Sequence, residues 1–254
     1  MGIFPRRNAT TTARLFTPLA NYLSQALGRE VRLVTSKNFT TFWASVRQQK
    51  YDIVHYNQYH YIKSDDLYDV IACNEEFGRK RIAGALYVRR DSNIHHITDL
   101  KNKKIVFGGG KKAMMSYIVP RYLLLKAGLK KNDFITEFSK NPPNALLAIY
   151  YQQADAAGAG DVVKDLLMIR NAINTHDLRF LARSRSLFHL PWTLKRTLSP
   201  ALRQRIQALF LELHRHPLGR TVLKTAKLNR FNRAESRDYD AHRTIINAVE
   251  AADE

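Results

Sequence analysis

Apolar and polar positions along the chain switch between two periods, and the switches mark out its elements. Ile3-Phe4 ahead of Pro5 reads as the end of a first strand. Leu15, Phe16, Leu19, Tyr22, Leu23 and Ala26 then recur at helical spacing, with threonines ahead of them as caps and Gly28 as a left-handed stop. EVRLVT (30–35) alternates as a strand, NFTTFWASVRQQ (38–49) reads as a capped helix and YDIVHY (51–56) as another strand. YDVIA (68–72) and RIAGALYV (81–88) follow as longer strands. From Thr98, which starts a helix, the pattern begins again: strand 103–107, helix 113–127 ended by Gly128, strand 134–138, helix 144–153, strand 154–160, a helix from Asp161 and strand 178–183. After LPWTLKR the periodicity predicts only helices.

Two successive βαβ runs predict an α/β fold of two lobes with a ligand cleft between them. Ligands of such sheets sit outside the carboxyl ends of the strands. The candidate loops are therefore PRRNAT (5–10), TSKNF (35–39), HYNQYHY (55–61), FGGGKKAMMS (107–116), SKNPPN (139–144) and AGAGDV (157–162), all rich in Asn, Gly, Ser, Tyr and basic residues. That composition suits an anion, which needs backbone amides, neutral donors and a few positive charges.

With 254 residues, 45% of them hydrophobic, the chain can bury two cores of ordinary size. No stretch approaches the roughly 18 apolar residues of a membrane helix, and MGIFPRRNATTT lacks the apolar region of a signal peptide. The abrupt opening predicts further residues upstream. The single Cys73 excludes an internal disulfide and fits the cytosol or a bacterial periplasm. A net charge of +19 favours anionic partners, yet the bases are scattered as pairs (Arg6-Arg7, Lys103-Lys104, Lys111-Lys112, Lys130-Lys131) rather than gathered on one tail. Dispersed solvated charge or a steering field for a small anion fits this better than a nucleic-acid surface.

FGGGKKAMMSYIVP (107–120) lies where a strand meets a helix start, so amides and macrodipole can hold an oxyanion without side-chain charge. It matches neither the P-loop nor the dinucleotide turn, which speaks against a nucleotide. A tight turn explains the glycines equally well.

FPRRNA, YDIVHYNQYHYI, IAGALYVRR, DLKNKKIVFGGG, AMMSYIVPRYLL, NPPNALLAIYYQQADAAGAGD and HLPW, in that order, resemble the phosphate/phosphite/phosphonate substrate-binding proteins of bacterial ABC importers over essentially the whole chain. The resemblance implies a type II periplasmic-binding-protein fold, with lobe one at 1–86 plus 184–254 and lobe two at 87–183, closing on its ligand. It implies a periplasmic monomer without cofactor or metal that takes a small anion of the phosphonate or phosphite class to an ABC permease, and no nucleic acid.

In relatives the lobe-two helix opens with Ser-Thr-Ser-Gly, whose hydroxyls and amides hold the phosphonate. Aligning YIVP puts Ala113, Met114 and Met115 at the hydroxyls and Ser116 at the glycine, so this chain would rely on the amides from Gly110 to Ser116. The two methionines then either face an apolar part of the ligand or pack in the core. By the same resemblance Tyr56 donates to the anion, with Gln58 and Tyr59 on its loop. Asn141 replaces a histidine, with Asn144 capping the following helix, and Asp161 pairs a ligand amine or caps a helix. Arg7 and Asn8 offer a guanidinium fork and an amide at the first strand's tip.

His189, His95-His96 and His214-x-His216 show no metal-ligand spacing with a carboxylate, and no nucleophile motif is present. An enzyme is not expected; a ligand-sensing domain is the alternative, or an enzyme on the same fold.

Overall fold

The computed structural model describes residues 1–253, which separate into two α/β units: 1–81 with 188–240, and 82–187 with 241–253. The sequence expectation gave the whole tail to lobe one. The helix Asp240–Asp253 instead packs with the second unit, because Asp253 ion-pairs Arg121 and accepts a hydrogen bond from Tyr117.

In unit 1 six strands form a sheet in which Gly2–Ile3 lies between Val34–Thr35 and Ile53–His55, parallel to both. Pro191–Lys195 and Tyr68–Glu75 continue it in antiparallel sense, and Arg230–Arg233 closes the far edge. That last strand corrects the expectation of helices only. Phe231 is its one buried residue, which leaves almost no alternation to read. Successive residues feed opposite cores. Ile3, Ile53, Ile71 and Trp192 pack under the helices Ala9–Leu27, Pro200–Glu212 and Pro217–Ala226. Phe4, Val54, Val70 and Tyr56 pack with Phe42 and Val46 of the helix Phe39–Arg47. The first helix keeps the expected stop, with Gly28 at φ 65°, and its cap is Asn8.

Unit 2 has a five-stranded sheet in the order Leu178–Arg183, Gly84–Arg89, Ala156–Gly160, Lys104–Gly108, Ile135–Ser139. The last three strands run parallel, so their carboxyl ends share one edge. The expected helix over 113–127 is present from Met114 but opens as a π-helical turn, Met114–Ile118, before Val119–Lys126 continues as α-helix; Gly128 ends it at φ 85°. The wide turn is held by Ile118 N–H donating to Ala113 O at 3.1 Å. Strands on either side make room for it. A Cβ on Gly158 would lie 2.5 Å from the Ser116 carbonyl oxygen, and one on Gly84 would lie 3.0 Å from that of Met115.

The helix read as 144–153 spans Pro142–Tyr150, and Asn141 caps it rather than Asn144. After Asp161 comes a short 3-10 turn, Val163–Asp165, whose cap position is Val162.

Candidate functional site

The parallel strands bring three loops of unit 1 to one edge, and the antiparallel pairing of Trp192 with His55 and of Pro191 with Cys73 adds the ends of two more strands. Arg6, Arg7, His55, Gln58, Glu76 and His189 gather there. Arg6 is committed: its guanidinium lies 3.5 Å from Glu76. Glu76 is itself held through a relay, with Trp192 Nε1 donating to Asn74 Oδ1 (2.7 Å) and Asn74 Nδ2 donating to Glu76 Oε1 (2.9 Å). Arg7 has no ion pair or hydrogen bond from its side chain among the described residues. It is half-buried, and that desolvation, with Arg6 beside it, lowers its pKa. Glu76 acts in the opposite direction without pairing directly, and a desolvated guanidinium that no carboxylate contacts is a standing attraction for an anion.

Burial alone would raise the Glu76 pKa. Arg6 foremost, then His189, the Asn74 amide and His55, outweigh burial and hold it down to about 2. A folded pKa below the ordinary 4.5 means that the stability Glu76 contributes is complete above pH 4.5 and is lost as pH falls toward 2. Its size is on the order of 3 kcal/mol. Urea midpoints measured from pH 5 to pH 2 should fall more steeply for the native chain than for Glu76→Gln; parallel curves would exclude the assignment. His55, stacked on Trp192 at 4.3 Å, is pushed down to about 3 by burial and stays neutral throughout the physiological range.

Other expected residues stand differently. Tyr56 is a correction: it is fully buried, and its hydroxyl accepts from Ser64 and Thr193, each at 3.1 Å. Burial drives its pKa up, so it is a core tyrosine rather than a surface donor. Gln58 is buried and donates to Phe188 O at 3.1 Å. Tyr59 is half-buried, with its ring edge-on to His60. Asn8 is exposed, and its side-chain oxygen caps the first helix through Thr11 N–H.

In unit 2 the glycine run resolves into three roles. Gly108 admits Pro142, whose Cα would sit 2.3 Å from an added Cβ. Gly109 adopts φ +96°, and Gly110, unconstrained, closes a turn by accepting from Ala113 N–H at 2.8 Å. The first helical bond is made by Tyr117 N–H to Ala113 O, so the amides of Met114, Met115 and Ser116 have no acceptor within the helix. Ser116 is 5% exposed, and its hydroxyl has no hydrogen-bond partner among the described residues. Met114 and Met115 are buried, which favours the packing reading of both. Asn141 spends its side-chain oxygen on Asn144 N–H. Asp161 accepts from Ala83 N–H (3.0 Å) and faces Arg183 at 3.7 Å, so its carboxylate is already engaged by the protein rather than held for a ligand amine. Lys111 and Lys112 are exposed at the same edge.

Each unit by itself carries chemistry that can meet an anion, a guanidinium in unit 1 and a hydroxyl with open helix-start amides in unit 2. Among the described residues no group of three or more His, Cys, Asp or Glu side chains could hold a metal ion, and no helix is long and apolar enough to cross a membrane. Residues 1–239 match the model of the family described as ABC transporter, phosphonate, periplasmic substrate-binding protein. The chain belongs to this family. Its fold is that of solved periplasmic binding proteins. XAC2383 from Xanthomonas citri, bound to ATP, matches with a TM-score of 0.84 at 15% identity over 99% of this chain and 96% of that one. PhnD1 from Prochlorococcus marinus, in complex with methylphosphonate, matches at 0.79 with 20% identity over 98% and 97%. A binding protein component of an ABC phosphonate transporter from Pseudomonas aeruginosa matches at 0.78 with 18% identity over 99% and 86%. The family consists of transport receptors rather than enzymes.

Proposed function

We propose that the chain is an extracytoplasmic, periplasmic receptor that binds a small phosphorus oxyanion, a phosphonate or phosphite-like compound, and delivers it to an ABC permease. The observation that carries this reading is the half-buried Arg7 guanidinium, which makes no direct ion pair among the described residues while its neighbour Arg6 pairs with Glu76. Unit 2 separately offers neutral donors, the Ser116 hydroxyl and the amides of Met114 to Ser116, and the net charge of +19 attracts anions to the chain. The class is supported by a solved structure of this fold in complex with methylphosphonate. The engaged Asp161 favours a ligand without an amine.

A thermal-shift panel of phosphate, phosphite, methylphosphonate, 2-aminoethylphosphonate and sulfate tests the reading, because a ligand of the folded state raises Tm with its concentration. One or more phosphorus anions should shift Tm, and Arg7→Gln should weaken the best of them by about 10- to 100-fold, as expected for a lost charge-assisted hydrogen bond. Equal affinity in Arg7→Gln would remove Arg7 from the site. Methylphosphonate equal to or better than 2-aminoethylphosphonate is the expected order.

A further inference from the structure

The carboxyl edge of unit 1 presents rings as well as cations. Because Gly2–Ile3 lies between Val34–Thr35 and Ile53–His55 in the sheet, the loop bearing Arg6 and Arg7 emerges between the loop that leads to Phe39 and the loop that carries Tyr59 and His60. Phe39 stacks on His60, with centroids 5.9 Å apart and planes at 21°. Trp43, one turn along the same helix, meets that imidazole edge-on at 5.2 Å, and Tyr59 meets it at 5.5 Å. Phe4, three residues before Arg7, supports Phe39 from 6.2 Å. His60 is buried and oriented by Asn57, whose Oδ1 lies 2.6 Å from its Nδ1 and accepts its backbone N–H.

The helix Phe39–Arg47 packs into the unit through Phe42 and Val46, which are fully buried. Phe39 continues their stripe beyond the core to the sheet's edge, where 43% of its surface remains exposed. What the arrangement supplies is an apolar, π-faced shelf backed by a buried imidazole, which Trp43 and Tyr59 also meet edge-on.

We propose that this shelf is a subsite for a planar ring, so that the ligand is a phosphorus oxyanion carrying an aromatic or heteroaromatic group, such as an aryl phosphonate or a nucleoside monophosphate. The proposal rests on the receptor reading above: Arg7 takes the oxyanion, and Phe39 with Trp43 and Tyr59 takes the ring. Stacking of a base on aromatic side chains is worth about 5- to 150-fold in affinity.

Calorimetric titration of the full chain with methylphosphonate, phenylphosphonate and adenosine monophosphate tests this. Phenylphosphonate, adenosine monophosphate or both should bind at least about 5-fold more tightly than methylphosphonate. Phe39→Ala should bring the tighter ligand's advantage close to one while the chain still binds methylphosphonate. Which of the two ring-bearing ligands gains tells whether the shelf takes a plain aryl group or a nucleobase. Methylphosphonate binding as tightly as both, or an advantage that survives Phe39→Ala, overturns the shelf and leaves the receptor reading standing. Absence of binding by all three, together with a flat panel of simple oxyanions, overturns both.

Discussion

Asp253→Ala should lower the stability of the chain by about 3 to 5 kcal/mol, the usual cost of leaving one member of a buried ion pair behind. Arg121 is 1% exposed, and its Nε donates to Asp253 Oδ1 at 3.1 Å while its Nη1 donates to Leu129 O at 3.0 Å. Tyr117 donates its hydroxyl to the same carboxylate at 2.8 Å, and burial, followed by that bond, pushes its pKa well up. One residue near the end of the chain therefore ties the closing helix to the π-helical turn and to the α-helix that follows it. Asp253→Asn, which keeps an acceptor for Tyr117 and removes the charge, should cost less. Urea midpoints of the two variants check this. A loss below about 1 kcal/mol for Asp253→Ala would mean that the Leu129 carbonyl alone satisfies the guanidinium.

Gly158→Ala should damage both stability and anion affinity. The added Cβ would stand 2.4 Å from Phe107 Cδ1 and 2.5 Å from Ser116 O, in a strand with no room to move. Overpacking of this kind costs roughly 1 to 3 kcal/mol, and here the group that must retreat is the backbone carrying the candidate donor. Gly110→Ala is the control, because nothing lies within 4 Å of its Cβ and it should be close to neutral. Equal behaviour of the two variants in denaturation and in ligand titration would refute the close approach of strand and turn.

Much of this architecture is legible in the sequence, because the elements that carry it have strong local grammar. The first helix ends at Gly28 and the second half's helix at Gly128, each a left-handed glycine after an apolar stripe. LRFLAR is a strand over its full length as read, 178–183. Elements whose identity depends on distant partners were not legible. Arg230–Arg233 is a strand only because Tyr68–Glu75 offers it an edge. Asn141 rather than Asn144 caps the helix because two prolines occupy its first turn, a signal that was available in NPPN. The π-helical turn has no spacing signature of its own.

The same limit applies at the site. Arg6 and Arg7 are equivalent as neighbours in a sequence; Glu76, seventy residues away from Arg6, contacts that one directly and leaves Arg7 without a direct ion pair. Tyr56 ends a strand whose flanks both look polar, and only Ser64 and Thr193 show that its hydroxyl points inward. Glycines 158 and 160 suggested a loop composition, whereas Gly158 is spaced for the close approach of the Ser116 backbone.

The central claim is that the chain binds a phosphorus oxyanion through Arg7. Calorimetric titration of the native chain and of Arg7→Gln, with the phosphorus anion that shifts Tm most, tests it directly. The account predicts saturable one-to-one binding by the native chain and its weakening, by about 10- to 100-fold, in Arg7→Gln at unchanged Tm without ligand. Saturable binding that the substitution leaves intact, or no binding of any phosphorus anion by the native chain, would contradict it.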